Sequence, residues 1–451
     1  MNPSAEQPSH PGTGTDMDVI IVGAGIAGLV AAHQLGALGL STVVLERDDH
    51  IGGRIHTERK PGVYLEHGGI FHTHGYQATR QLLADTGLAD DIVATPGGFF
   101  SAVLHDGTWK HVDFGSLLGP GQFPALTWKD RLSVLRAALP ALIARPTDLG
   151  DLTTLARFDT KSAAEGLTDR AATYFTAGPH EFLWGTATRN LSFAMLAMQL
   201  HLYRGQLREV KGGIGQLTDA LAAHLHVRTG VRVDRIEDTA QGVTAHIADG
   251  NEPVHARAAI LACPANHAAA IWPDAPAPVR EHLVGVEYSR IDYVYLRTRE
   301  PLNIRHGGRH VGIEVITEPE VRRTGGDSTM GGIYYANDWA ETGGLLLVTA
   351  APYLGVSHLD DDELADRLQA DAERLHPELV GQITERVVMR DDPYTPTFGP
   401  GSIRRLVAAR EHLPAGPIDL AGDHMTAPWV EGAVRSGQLA ADRIARQLEP
   451  S

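Results

Sequence analysis

With 451 residues, 43% of them hydrophobic and 21% charged, the chain is long enough for two domains or one interleaved pair with ample core. Its formal net charge of -16 disfavours nonspecific binding to nucleic acid or anionic lipid, which both need a basic surface, outside any local basic patch. The single cysteine, Cys263, excludes an intrachain disulfide and makes a reducing cytoplasm the expected location.

Residues 1–15 are rich in Pro, Gly, Ser and Thr and carry neither the basic nor the apolar segment of a secretion signal, so they read as a disordered tail. Asp18-Val19-Ile20-Ile21-Val22 is then a short apolar run, as expected of a parallel strand covered on both faces. Gly23-Ala24-Gly25-Ile26-Ala27-Gly28 fits G-x-G-x-x-G and leads into an apolar helix over residues 29–38, closed by Gly39. Gly23 allows the turn, Gly25 lets backbone approach a diphosphate at the helix N-terminus, and Gly28 lets helix and strand pack closely. A second apolar strand over residues 42–45 ends in Glu46, where an acidic side chain accepts hydrogen bonds from a ribose. The glycine motif alone is a weak signal, but strand, turn, helix, second strand and terminal acid agree on a dinucleotide.

Ile51-Gly52-Gly53-Arg54-Ile55-His56-Thr57 adds a glycine pair and a guanidinium whose fork suits phosphate oxygens. This run resembles the G-G-R-x-x-T signature of the flavin-dependent amine oxidase superfamily, which also holds protoporphyrinogen oxidases and carotenoid-type desaturases. The resemblance implies FAD, not NAD, with Glu46, Arg47, Gly53 and Arg54 joining the glycine turn as cofactor contacts.

Residues 64–75 form a glycine-rich loop with one acid and three histidines. The histidine spacing fits no zinc pattern and no cysteine is near, so no metal site is read. In the resembling enzymes the matching loop runs under the flavin, which implies cofactor contacts at Gly68, Gly69 and Ile70. Glu66 matches an acid that lies near the substrate amine in some members; from the residues alone, a carboxylate satisfied by backbone donors explains it equally well.

A helix is expected over residues 77–88, and from 91 to 203 the chain reads as mostly helical, with apolar spacing over 132–142 and 191–202, broken by Pro140 and Pro146. Such helices cap a cavity or a sheet, and Tyr174, Phe175 and the run His180-Glu181-Phe182-Leu183-Trp184 are candidates to line it. Neither residues 190–203 nor 258–273 supply an uncharged stretch of membrane-spanning length. Residues 211–226 read as a turn and helix, followed by strands over 231–236, 243–247 and 258–263. They resemble the small β-meander of these flavoproteins, where Val233 matches a residue near the adenine. Cys263, at the end of the third strand, reads as a small buried hydrophobe.

Three strands follow, around Tyr293–Leu296, 331–335 and 345–348, enough for a sheet under a substrate pocket. Many amine oxidases place a lysine in the first; Asp292 takes that place here, with Arg290 nearby as a candidate catalytic residue. Asp360-Asp361-Asp362-Glu363 is explained by acids at the start of a helix over 364–376. The closing segment, Ile418-Asp419-Leu420-Ala421-Gly422-Asp423 through Trp429-Val430-Glu431-Gly432-Ala433-Val434-Arg435-Ser436-Gly437, resembles the superfamily's A-G-[DE] and E-G-A-x-x-S-G motifs. The match implies flavin contacts at Gly422, Asp423 and Val430. It also puts Trp429 in an aromatic pair above the ring, whose second member is Tyr394 or Phe398. No cysteine lies in residues 392–399, so the FAD is expected to be noncovalent.

The expected fold is α/β: a doubly wound, Rossmann-like FAD-binding domain from residues 16–88, 206–272 and 386–451, with an inserted α+β substrate domain from 89–205 and 273–385. The expected function is an FAD-dependent oxidase that takes a hydride from an amine or amide, such as a secondary metabolite, to give an imine or iminium. O2 then reoxidises the flavin to release H2O2. The alternatives are C–C desaturation or protoporphyrinogen-type oxidation, and redox-neutral isomerisation or plain FAD binding. An L-amino-acid oxidase is disfavoured, because Phe71 and His72 stand where an arginine usually meets the substrate carboxylate. The expected partners are a small-molecule substrate and O2, with a homodimer left open and neither nucleic acid nor a membrane span. No phosphate-binding G-x-x-x-x-G-K-[ST] loop, H-E-x-x-H helix or G-x-S-x-G elbow occurs.

Overall fold

Val19, Ile20 and Ile21 are fully buried, as β-branched residues are when both faces of a parallel sheet are covered. They belong to β1 (Met17–Val22), which passes through the glycine turn into α1 (Ile26–Ala37) and returns as β2 (Thr42–Leu45), parallel to β1 with Val19 opposite Thr42. The structure, a computed structural model, describes residues 17–95, 100–113, 119–144, 149–177, 182–202, 206–323, 328–413 and 416–449. The tail expected over 1–15, and His180 and Glu181 of the aromatic cluster, lie outside these residues.

The strand Val254–Leu261 pairs in parallel with β1 on its other side, and Ile418–Leu420 pairs in parallel with Val254–Leu261. Val227–Arg228 extends the parallel set beyond β2. The antiparallel pair Val233–Thr239 and Gly242–Ile247 joins through the first half of Val254–Leu261, completing a seven-stranded sheet. Segments from the two ends of the described chain thus share one sheet, each paired with Val254–Leu261. The C-terminal helix Val430–Leu448 packs along α1, and at their crossing a Cβ on Gly437 would lie 2.3 Å from the Ala27 carbonyl oxygen. Only a glycine lets the two backbones come this close.

A second seven-stranded sheet runs in the order Ile383–Asp391, Ile291–Thr298, Gly344–Ala350, Met330–Tyr335, Ile313–Ile316, Phe100–His105, Thr108–Asp113. Its neighbours are antiparallel except Ile313–Ile316 with Phe100–His105. Alternation sends Tyr293, Tyr295, Tyr334 and Leu347 to one face and Val294, Leu296, Ile333 and Val348 to the other. The second face is covered by the helix Asp361–Leu375, whose N-cap Asp360 accepts a hydrogen bond from the Glu363 amide at 2.8 Å. The first face looks onto the cavity described below.

Four expectations need correction. Residues 91–203 are not simply helical, since Phe100–His105 and Thr108–Asp113 form a hairpin that finds its sheet partner only at Ile313–Ile316. The helix Trp128–Ala144 passes through position 140, because a proline removes one helical hydrogen bond while packing on Phe193–Leu202 and Asp169–Ala177 supports the rest. The helix expected over 77–88 is shorter, Gln77–Asp85, and the helix expected to end near His226 ends at Ala222. The boundary expected at 386 falls inside the strand Ile383–Asp391, whose every ladder bond is to the second sheet. Among the described residues no helix is long and apolar enough to cross a membrane.

Candidate active site

A continuous cavity of about 590 Å³ runs from the glycine turn to the tyrosine face of the second sheet. At one end it is lined by Gly23, Gly25, Ile26, Ala27, Glu46, Arg47, Gly53 and Val233, which the sequence assigned to the cofactor. Gly23 turns the chain with φ +108°, and a Cβ there would sit 2.8 Å from the Ala262 carbonyl oxygen. At Gly25 a Cβ would meet nothing within 4 Å, so the backbone stands open to the cavity. No side chain caps α1 and no acid occupies its first turn, which leaves its amide donors for an anion. The Glu46 carboxylate accepts from the Ala24 amide at 2.7 Å and the Asp48 amide at 3.0 Å, fixing an acceptor at the end of β2 for ribose hydroxyls. These features fit the diphosphate and ribose of FAD. Arg47 stands at the rim, its guanidinium 3.0 Å from the His267 ring. Gly28 does not reach the cavity; a Cβ there would collide with the Gly23 carbonyl oxygen at 2.1 Å, so it serves the helix–strand contact.

Arg54 was expected to offer its fork to phosphate oxygens. Instead, both terminal nitrogens hold the Asp423 carboxylate, at 2.6 and 2.8 Å, and one also donates to the Tyr394 carbonyl at 2.8 Å. Burial works against the charge, and Asp423 outweighs it, holding the guanidinium pKa above its ordinary value. This pair fastens the closing segment to the N-terminal one at the cavity wall, with Gly68, Gly69, Ile70, Gly422 and Val430 around it. Cys263 also stands on the wall, where burial pushes its thiol up to about 12 and keeps it uncharged.

The other end is aromatic. Trp429 and Trp184 face it with ring centroids 5.3 Å apart, beside Phe182, Phe71, Tyr293 and Tyr334. Tyr394 lines it and donates its hydroxyl to the Leu183 carbonyl at 2.8 Å, whereas Phe398 is turned into the core of the first sheet. Of the aromatic cluster read from sequence, Phe182, Leu183 and Trp184 reach the cavity, and Tyr174 is turned away to His105.

Two candidate catalytic residues do not reach it. Glu66 is buried beside the cavity wall, accepting from the Thr57 hydroxyl and the Ile214 amide, both at 2.7 Å. Burial raises its carboxyl to about 7 despite these bonds. Glu66 therefore ties the hairpin of β3 (Ile55–Lys60) and β4 (Val63–Gly68) to the turn before the helix Gly215–Ala222. Arg290 is held by Asp292 at 2.8 Å and Asp392 at 3.3 Å. Asp292, with Arg390 also on it, points away from the cavity, because strand alternation turns Ile291 and Tyr293 inward.

The sequence reading missed Asp391. It is the last residue of the strand Ile383–Asp391, on the aromatic end of the cavity, and takes a hydrogen bond from the Tyr293 hydroxyl at 3.1 Å. Burial raises its pKa, opposed in part by the Tyr293 hydroxyl, His67 and the Gly68 amide. The available signal was parity: Asp391 shares a strand face with the buried Met389.

Residues 26–445 match the family of flavin containing amine oxidoreductases. The chain is 25% identical to the flavin-dependent L-tryptophan oxidase RebO of Lentzea aerocolonigenes, over 94% of this chain and 97% of the other. It is 33% identical to coproporphyrinogen III oxidase of Propionibacterium freudenreichii, over only 28% of this chain and 25% of the other. The structure superposes on cyclohexylamine oxidase from Brevibacterium oxydans with a TM-score of 0.77 at 21% identity, covering 97% of this chain and all of that one, a likeness of fold. With an FAD-binding Rossmann-like sheet on one side of the cavity and a substrate sheet on the other, the chain is an FAD-dependent oxidoreductase and belongs to the flavin containing amine oxidoreductase family.

Proposed function

We propose that the protein oxidises the C–N bond of a small or medium-sized amine to an imine or iminium, with O2 as electron acceptor and hydrogen peroxide as its product. The observation that carries this reading is Asp391, a carboxylate set among aromatic side chains at one end of the cavity. A carboxylate in such a setting is matched by an ammonium group. FAD, when bound, supplies a two-electron acceptor for the hydride. Asp391 holds the substrate cation and accepts a proton from its nitrogen, leaving the neutral amine whose lone pair assists loss of the α-hydride. Trp429, Trp184 and Tyr394 orient the substrate carbon and exclude water. Glu46, the α1 N-terminus and the Arg54–Asp423 pair hold the cofactor end.

The test is anaerobic bleaching of the purified protein's flavin absorbance by primary, secondary and acylated amines, set beside porphyrinogen and polyene donors. Bleaching by an amine, followed by hydrogen peroxide when air is admitted, is expected. Bleaching only by the carbon donors would replace this reading with the desaturase or porphyrinogen one.

A further inference from the structure

The helix Trp128–Ala144 buries one face and leaves an apolar stripe on the other. Its inner residues Val134, Ala137 and Ala138 are buried against the helices Phe193–Leu202 and Asp169–Ala177. On the outside Trp128 is 70% exposed, Leu132 36%, Leu135 56% and Leu139 49%. Their spacing of four, three and four residues is one helix face. A helix that is apolar on both sides is ordinarily buried on both.

The charges on this helix have a matching order. Lys129, Arg131 and Arg136 are exposed, and none has an acidic partner among the described residues. Lys129 lies 5.8 Å from the Trp128 ring centroid. The single acid, Asp130, is turned inward. It accepts from the Thr127 amide and hydroxyl, each at 2.7 Å, and from the Thr168 hydroxyl at 2.6 Å, closing a capping box at the helix start. The outer face is therefore cationic and apolar on a molecule whose net charge is -16.

We propose that this helix docks the protein on the surface of an anionic phospholipid bilayer, lying in the interface with Trp128 and the three leucines among the acyl chains and the cations on the headgroups. Charge decides the occupant. The helix offers three cations and no outward acid, which suits a negatively charged surface. A second copy apposed on the same helix would bring only further cations to it.

The test is co-sedimentation of the FAD-loaded full chain with vesicles of phosphatidylcholine alone and of phosphatidylcholine mixed with phosphatidylglycerol, at low and high salt. Binding is expected to the mixed vesicles only, and to fall with salt. Lys129→Gln with Arg131→Gln and Arg136→Gln should lower the partition on the order of a hundredfold, at about fivefold per lost cation. Leu135→Gln with Leu139→Gln should lower it at unchanged flavin content. All five positions are exposed, so folding is not at risk. Failure to sediment with the mixed vesicles, or sedimentation unchanged in both variants, would overturn the proposal. So would a dimer seen by light scattering that the leucine variant dissociates, which would give the face to a second copy.

Discussion

Replacing Asp391 by asparagine keeps its size and a hydrogen-bond acceptor for Tyr293 while removing the charge. A charged hydrogen bond is worth about 1.5–3 kcal/mol, so kcat/KM for the best amine should fall roughly tenfold to a hundredfold in Asp391→Asn, with flavin content unchanged. The pH profile gives a second check. Because burial raises the Asp391 pKa, the wild-type kcat/KM should drop as pH falls through a value above the ordinary carboxylate range, as the carboxylate becomes protonated and loses its hold on the cation. Asp391→Asn should lack that limb; if the limb persists, another group is responsible. The residue was passed over because no strand was read over residues 383–391, so its parity with the apolar Met389 had no element to act through. Trp429 stood out in the sequence beside the closing motif, whereas Tyr394 and Phe398 were both open until the structure put Tyr394 on the cavity and Phe398 in the core, and strand parity separated Ile291 and Tyr293 from Asp292.

At the scale of elements, Glu66 works as a tie between the β3–β4 hairpin and the turn at Ile214. Its carboxyl titrates at about 7 in the folded chain and near 4.5 once exposed, so the folded state holds the proton more tightly. The resulting stability is complete below about pH 4.5 and is lost as pH rises through 7, amounting to about 3 kcal/mol at full ionisation. Glu66→Gln should therefore gain on the wild type between pH 5 and pH 8 in denaturant unfolding, and a constant difference would contradict this. At the α1 crossing, Gly437→Val places a side chain against the Ala27 carbonyl and should cost about 1–3 kcal/mol, with weaker flavin retention in thermal unfolding and absorbance measurements. Gly36→Ala, where a Cβ meets nothing within 4 Å, is the control and should be neutral or slightly stabilising. Elements with a strong local signal, such as β1, α1 and the capped helix Asp361–Leu375, were readable from the chain. The hairpin at Phe100–His105 was not, because its reason for being a strand is an edge supplied by Ile313–Ile316.

For the whole molecule, the two glycine-bearing ends of the sequence announced a shared ligand, and the structure places both on one cavity between two sheets. We propose that the cofactor domain is the discontinuous set 16–88, 206–272 and the segment after Asp391, with the second sheet and the helical layer forming the substrate domain. Composition announced the acidic surface but not the cationic helix on it, since a net charge averages over faces that a partner meets singly.

The pairing of Ile418–Leu420 with Val254–Leu261, and of the helix Val430–Leu448 with α1, also sets an order of assembly. On a ribosome the first strand and the glycine turn emerge long before the segment carrying Asp423 and Gly437. Until that segment arrives, Arg54 lacks its carboxylate and α1 lacks the helix that covers it. Formation of the flavin site therefore waits for the chain to be made as far as Gly437, and a nascent chain has an interval in which an apolar flank of α1 is open to chaperones.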